Sequence, residues 1–508
     1  MKQNLRYLFP LIVCFVAVLK VRASNNTVRV AKASFEEICN KSIGVFETGK
    51  GSESDHYDPT AFITTWRTTT ANETIVIPTT GSGYDYIVDW GDGTASANRT
   101  GDASHTYLNA GDYKVSITGA FPRIFFEKNP SQAKKIIGID QWGTSPWASM
   151  DSAFEGCGNL QGNFTDEPDL SHVTTMKEMF ALNYKFNGNI EDWDVSKVTD
   201  MSSMFFRARS FTGNLSKWDV SHVMDMSQMF YGASLFNGDI GEWDVSSVET
   251  MKEMFALNYK FNGNIEDWDV SKVTDMSSMF FRARSFTGNL SKWDVSHVMD
   301  MSQMFYGASL FNGDIGEWDV SKVTDMRSMF LRALSFNGDI GNWDVSHVTN
   351  MYLMFKGVAL STENYDGLLL GWSELELQPN VAFDAGDSAY CSGGEARQSM
   401  VGQFNWAISD AGRLDVEVQD LKDQEAQGYF TFPEISGKNL GDTKAFYTEP
   451  DGRGDKFDSG DEIGFERFES YPVTLYAYYK TTGGCSDQES FQLTIVPLEQ
   501  EGLVQRGQ

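Results

Sequence analysis

Eight aspartates recur at one position of a repeating pattern and are the residues best placed for chemistry: Asp169, Asp194, Asp219, Asp244, Asp269, Asp294, Asp319 and Asp344. Each is followed two residues later by a serine, as Ser196 follows Asp194. If neighbouring units lie ~4.8 Å apart, as paired strands do, adjacent carboxylates repel by about 1 kcal/mol in water. Three arrangements offset that repulsion. The column binds calcium, although Ca²⁺ takes roughly six to eight oxygens and each unit offers only this Asp and its Ser. It faces a polar ligand. Or each Asp accepts hydrogen bonds from the serine and backbone N–H of its own Asp-x-Ser turn, with Lys197, His222, Lys272, His297, Lys322 and His347 supplying compensating charge.

The other chemistry-bearing residues read as structure. Met201 and Met204, and seven further pairs at the same spacing, form the apolar face of a short helix rather than a soft-metal stripe. Trp193 and its equivalents read as packing residues. Arg453-Gly454-Asp455 spells an integrin-type tripeptide but reads as coincidence in a Gly- and Asp-rich turn, and residues 451–461 lack the order of an EF-hand loop. No G-x-S-x-G, H-E-x-x-H, Walker or dinucleotide motif is present. His172, His222, His297 and His347 share a slot that Lys or Ser fills in other units, which leaves them no singular catalytic duty. Glycosidase-type carboxylate pairs need one singular place, whereas repeats make every unit alike. The expectation is no enzyme, no catalytic residue and no cofactor, with calcium the one candidate ion.

The column follows from periodicity. Trp193, Trp218, Trp243, Trp268, Trp293, Trp318 and Trp343 are spaced by 25 residues, and a degenerate first copy begins at Met150, with Pro168 where Trp would stand. Residues 175–246 are identical to residues 250–321, a block of 72 positions. Such a duplication is tolerated where each unit touches only its neighbours. The apolar positions of one unit are Ile190, Trp193, Val195, Val198, Met201, Met204, Phe205, Ala208 and Phe211. The spacing I-x-x-W-x-V-x-x-V matches the leucine-rich-repeat frame. It predicts a short strand with Trp193 and Val195 inward and Asp194 on the exposed face. Thr199 or Asp200 then caps a short helix that buries Met201, Met204, Phe205 and Ala208. Asn237-Gly238 supplies a turn that tolerates positive φ.

The unit resembles the BspA-like leucine-rich repeats of bacterial surface proteins through its W-D-V-S-x-V-T-x-M-x-x-M-F signature, and the segment Ala153-Phe154-Glu155-Gly156-Cys157-Gly158-Asn159-Leu160 resembles the A-F-x-G-C-x-x-L form of that family. Over residues 149–360 this resemblance implies a secreted or cell-surface interaction protein. Earlier in the chain, Asp89-Trp90-Gly91-Asp92-Gly93-Thr94, His105-Thr106-Tyr107 and Ala110-Gly111-Asp112-Tyr113 resemble the polycystic-kidney-disease-type module, which implies an immunoglobulin-like sandwich over residues 60–120. The residues themselves read as a tight turn at Gly91-Asp92-Gly93 and a His105 that packs on or bonds a loop. Residues 413–497 alternate strand-like runs with Gly- and Asp-rich turns and read as a second immunoglobulin-like domain. The expected fold is multidomain: a leucine-rich-repeat-like α/β solenoid of 25-residue repeats flanked by immunoglobulin-like β-sandwiches.

The remaining segments complete the plan. Residues 1–23 read as a signal peptide, 24–59 as an N-terminal segment or linker, 121–148 as a linker or N-terminal cap, 361–412 as a C-terminal cap and 498–508 as a tail. Cys14 follows a poor lipoprotein box. Cys39, Cys157, Cys391 and Cys485 of the mature chain allow three pairings. No later stretch is apolar for the ~18–20 residues a membrane span needs, so no transmembrane segment is expected in the mature chain.

The 508 residues carry 41 Lys and Arg against 70 Asp and Glu, a formal charge of −29 that opposes binding to nucleic acid or anionic lipid. The expected protein is a secreted or cell-surface adhesion or interaction protein, associated with the outer membrane of a Gram-negative bacterium. It engages an extended protein or glycan along its repeat sheet. One alternative is a secreted polysaccharide-binding or polysaccharide-degrading protein. The other is a calcium-stabilised rod. The oligomeric state stays open.

Overall fold

The computed structural model describes residues 58–441, 443–481 and 484–498. The signal peptide at 1–23, Cys14, Cys39 and the tail beyond residue 498 lie outside the described residues.

The N-terminal module is built from strands β1 (Phe62–Thr68), β2 (Glu73–Ile77), β3 (Asp85–Asp89), β4 (Ala95–Arg99), β5 (Ala103–Tyr107), β6 (Gly111–Ala120), β7 (Ile136–Gln141) and β8 (Gln161–Gly162). In β3 the buried Tyr86 and Val88 alternate with exposed Asp85, Ile87 and Asp89. That period of two covers one face and leaves the other in water. One six-stranded sheet runs in the order β4-β3-β6-β1-β7-β8, while β2 and β5 pair separately. Residues 121–148 are more than a connection: β7 pairs antiparallel with β1 on one side and parallel with β8 on the other. Because β8 already belongs to the first repeat, the sheet continues into the repeats.

The repeats keep their apolar positions buried. Ile190, Trp193, Val195, Val198, Met201, Met204, Phe205, Ala208 and Phe211 are each at most 3% exposed. The backbone between them is not the one the spacing predicts. Between β8 and a helix at Thr362–Ser373 the described residues form no α-helix and no extended strand, only turns joined by isolated parallel bridges such as Asp200↔Asp225 and Asp225↔Thr250. Ser203 and Arg207 adopt positive φ (56° and 55°), which breaks any helix through Met201–Ala208.

The N–H groups of this segment divide into two sets. Met204, Phe206 and Ala208 donate back to the carbonyls of Met201, Ser203 and Phe205 (3.1, 2.9 and 3.0 Å). Met201, Ser203, Phe205 and Arg207 donate to Asp225, Ser227, Met229 and Tyr231 of the next repeat (3.0, 2.8, 2.9 and 2.6 Å). Every donor is satisfied, and four of them tie the unit to its neighbour. A two-turn helix would have left its terminal N–H and C=O groups without partners.

Aspartate and asparagine side chains close the corners. Asn189, Asp194 and Asp200 each accept the N–H two residues ahead, from Glu191, Ser196 and Ser202 (3.3, 3.1 and 2.9 Å). Asp200 therefore makes a turn and caps no helix. Asn237-Gly238 is not a positive-φ turn either. Gly238 is required because a Cβ there would lie 2.9 Å from the Phe236 ring, whereas positive φ falls on the series Glu178, Ser203, Gln228 and on Leu182, Arg207, Gly232. Side chains stack in register through the array, as with Trp243 and Trp268 (6.4 Å between centroids, 3° between planes).

The expected leucine-rich-repeat-like α/β solenoid flanked by immunoglobulin-like sandwiches is thus corrected. The repeat units contain neither the strand nor the helix, and the flanking parts are small sheets of mixed pairing. At the C-terminal side, helix Thr362–Ser373 buries Tyr365, Leu368, Leu369 and Trp372 against the last repeat. A second helix, Gly394–Phe404, connects the parallel pair Ala382–Asp384 and Ala407–Ser409. Beyond it, a five-stranded sheet orders Gln424–Gln427, Ser486–Val496, Val473–Lys480, Ala445–Glu449 and Arg453–Phe457; the first pair is parallel and the others antiparallel. Two hydrophobic cores result, one continuous from Phe62 to Trp406 and one from Val418 to Ile495. A disulfide between Cys391 and Cys485 joins their elements, and Cys157 is buried and has no disulfide partner among the described residues.

Candidate functional site

All eight aspartates of the column use a carboxylate oxygen locally. Asp169, Asp194, Asp219, Asp244, Asp269, Asp294, Asp319 and Asp344 accept the N–H of the serine two residues ahead at 3.0–3.1 Å. Seven are exposed and Asp344 is half-buried. The serine hydroxyl, followed by the serine backbone, holds the carboxyls of Asp169, Asp194, Asp219, Asp244, Asp294 and Asp319 below their usual range. Asp169 makes an isolated parallel bridge to Pro146, and among the described residues the other seven stand on successive turns instead of the face of a sheet. Among the described residues no three or more His, Cys, Asp or Glu side chains converge as a metal site.

The other singled-out residues are tied into the fold. His105 Nε2 lies 2.7 Å from Asp92 Oδ2 and the ring stacks on Trp90 at 5.1 Å. Asp455 of the Arg453-Gly454-Asp455 tripeptide pairs with Arg467, and Arg453 pairs with Asp451 at 3.4 Å. The Met pairs are fully buried. Each Trp from Trp218 to Trp343 donates its indole N–H to a carbonyl one repeat back, as Trp218 does to Ile190 at 2.8 Å.

A different surface brings chemistry together. Phe206 stacks on Tyr231 of the next repeat at 4.8 Å, and the Arg207 guanidinium lies over both rings at 5.3 and 5.9 Å. Arg209 lies over Tyr184 at 5.2 Å. Three repeats on, the arrangement recurs: Phe281 stacks on Tyr306 at 4.7 Å, Arg282 covers both at 5.3 and 5.7 Å, and Arg284 covers Tyr259 at 5.3 Å. The four arginines are exposed and none pairs with a carboxylate among the described residues. Tyr184 and Tyr259 keep 42% and 40% of their surface in water, enough to offer an open ring face.

The positive φ of Arg207 and Arg282 (both 55°) belongs to the same turn that sends their N–H groups to Tyr231 and Tyr306 at 2.6 Å. Backbone bonding between repeats thereby fixes where the guanidinium and ring planes meet. Ring faces next to planar guanidinium groups suit stacking on flat or apolar ligand surfaces and paired hydrogen bonds to carboxylate or sulfate.

Sequence reasoning missed this surface by attending to invariant positions. A signal was present in the variable ones: Ala181, Phe206, Tyr231 and then Ala256, Phe281, Tyr306 cycle with a period of three repeats, as do Tyr184, Arg209, Ser234 and Tyr259, Arg284, Ser309.

No curated protein and no solved structure matches the chain. Residues 123–224, 210–308 and 287–368 each match a family described as Mycoplasma protein of unknown function, DUF285, and over its repeats the chain is similar to that family.

Proposed function

We propose that this chain is a secreted or cell-surface interaction protein that holds an extended partner, protein or glycan, through its repeats and without turnover. The observation that carries the reading is the pair of equivalent aromatic–arginine patches, Tyr184/Phe206/Arg207/Arg209/Tyr231 and Tyr259/Phe281/Arg282/Arg284/Tyr306. Bridged backbones are ~4.8 Å apart, which sets the two patches about 15 Å apart along the stack. A repetitive partner that spans this distance engages both, and the second contact forms at high effective concentration. The disulfide Cys391–Cys485 supports an oxidising compartment outside the cytoplasm. Among the described residues no helix is long and apolar enough to cross a membrane.

The test is a chain lacking residues 250–324, three whole repeats that include the second patch. It is expected to fold and to lose about a hundredfold in apparent affinity for a partner recovered in a glycan and surface-protein binding screen. Equal affinity of the short and full chains sinks the reading. Release of reducing sugar from any glycan of the screen would favour a degrading enzyme instead.

A further inference from the structure

We infer a separate binding site for an acidic carbohydrate in the cleft of about 440 Å³ between the N-terminal sheet and the first repeats. The inference does not depend on the repeat patches. In a chain of charge −29, the walls of this cleft carry four cations, Arg67, Lys134, Lys135 and Lys185, against one carboxylate, Glu73.

The cations divide by role. Arg67 is clamped by Asp112 at 2.6 Å through both Nε and Nη2. Lys135 is held by Glu73 at 3.0 Å and by the Thr74 carbonyl at 2.6 Å. Glu73 is itself engaged by the N–H groups of Thr69 and Thr70 at 2.6 and 3.2 Å. Lys134 and Lys185 are exposed and have no carboxylate partner among the described residues. Lys134 directly follows the helical turn Pro130–Ala133, while Lys185 comes from the repeats, so each of the two parts contributes one of these ammonium groups to the lining of the cleft.

Unpaired lysines in so acidic a chain lack their counter-charge, and an anionic ligand supplies it. The neutral groups select a sugar over a bare anion. Asn159 and Gln161, whose amide has no hydrogen-bond partner among the described residues, line the same cleft, and amides match the alternating donors and acceptors of sugar hydroxyls. A uronate or sulfated oligosaccharide presents carboxylate or sulfate to Lys134 and Lys185 and hydroxyls to these amides.

Calorimetric titration of the full chain tests this with tetragalacturonate, maltotetraose, inorganic phosphate and phosphatidylglycerol vesicles. Tetragalacturonate is expected to bind, more weakly as salt rises, and maltotetraose to show no heat. Lys134→Gln/Lys185→Gln, both at exposed positions, is expected to lose about tenfold per lysine. Lys260→Gln/Lys356→Gln, which removes the same charge elsewhere, is expected to bind as the parent does. Unchanged affinity in Lys134→Gln/Lys185→Gln would overturn the site. Phosphate or vesicles binding as tightly as tetragalacturonate would overturn the carbohydrate assignment.

Discussion

The indole N–H of Trp372 donates to the carbonyl of Ile340 at 3.2 Å, the bond that Trp343 makes to Ile315 at 2.9 Å one repeat earlier. Trp372 sits in a helix, 29 residues after Trp343, so the closing segment abandons the period and still fills the next position of the tryptophan ladder. The Asn337 amide continues in the same way, accepting the N–H of Ser361 at 2.7 Å just as Asn312 accepts that of Asn337 at 2.7 Å. The helix closes the array by meeting its exposed polar groups as well as its apolar end.

Trp343→Phe and Trp372→Phe each remove one of two donors from a carbonyl, since Ile315 and Ile340 keep the backbone N–H of Trp318 and Trp343 at 3.2 Å, and each is expected to cost about 1 kcal/mol. Trp193 begins the ladder, and its buried Nε1 has no acceptor among the described residues. Trp193→Phe is expected to cost less than either. Urea unfolding of the three variants checks the ranking; equal losses would show that ring volume, and not the hydrogen bond, sets the cost.

Arg332 holds positive φ (58°) at a position where Gly232, Gly307 and Gly357 stand in other repeats. Arg332→Gly is expected to stabilise the protein by about 1 kcal/mol by relieving the left-handed strain of a residue with a Cβ. Gly238→Ala is expected to destabilise by about 1–3 kcal/mol, because the new methyl would press on Phe236. Thermal melts of both report opposite signs if backbone and ring packing divide between these positions as described.

The aspartate column sets a pH dependence. Serine hydroxyl and backbone bonds lower the folded-state carboxyls of Asp169, Asp194, Asp219, Asp244, Asp294 and Asp319 relative to the unfolded chain. Their stabilisation is therefore complete above about pH 4 and is lost as pH falls through the folded values. Asp244→Asn keeps an acceptor for Ser246 without a proton to gain, so its melting temperature should fall less between pH 5 and pH 3 than the parent's. Asp244→Ala should cost about 1 kcal/mol at neutral pH. Because one oxygen of each carboxylate is committed to its own turn, chelator is expected to leave the melt unchanged.

All 13 Trp lie between Trp66 and Trp406, within the first core, so tryptophan fluorescence is blind to the second. Replacing Cys391 and Cys485 by Ser removes the link between the cores and is expected to lower the stability of the C-terminal sheet by about 2–4 kcal/mol. Circular dichroism at a strand wavelength should then show an early transition that tryptophan emission does not. A single coincident transition would mean that the two cores unfold together.

The sequence by itself determined the period, the number of units and which side chains are buried, because each unit copies one apolar pattern and burial follows hydrophobicity. It also held the Asp-x-Ser turns, whose bonds span only two residues. It did not determine the backbone path. Met201, Met204, Phe205 and Ala208 have the spacing of a helix face, yet the same spacing is met by a chain that alternates inward turns with bonds to the next repeat, and those bonds join residues 24 apart. Only the stacked structure decides between the two, since the donors satisfied across repeats have no partner within one unit. For the same reason the three-repeat cycle of the variable positions was legible while the aromatic–arginine patches were not: Phe206, Tyr231 and Arg207 belong to two repeats, and their rings and guanidinium meet only when one unit lies upon another.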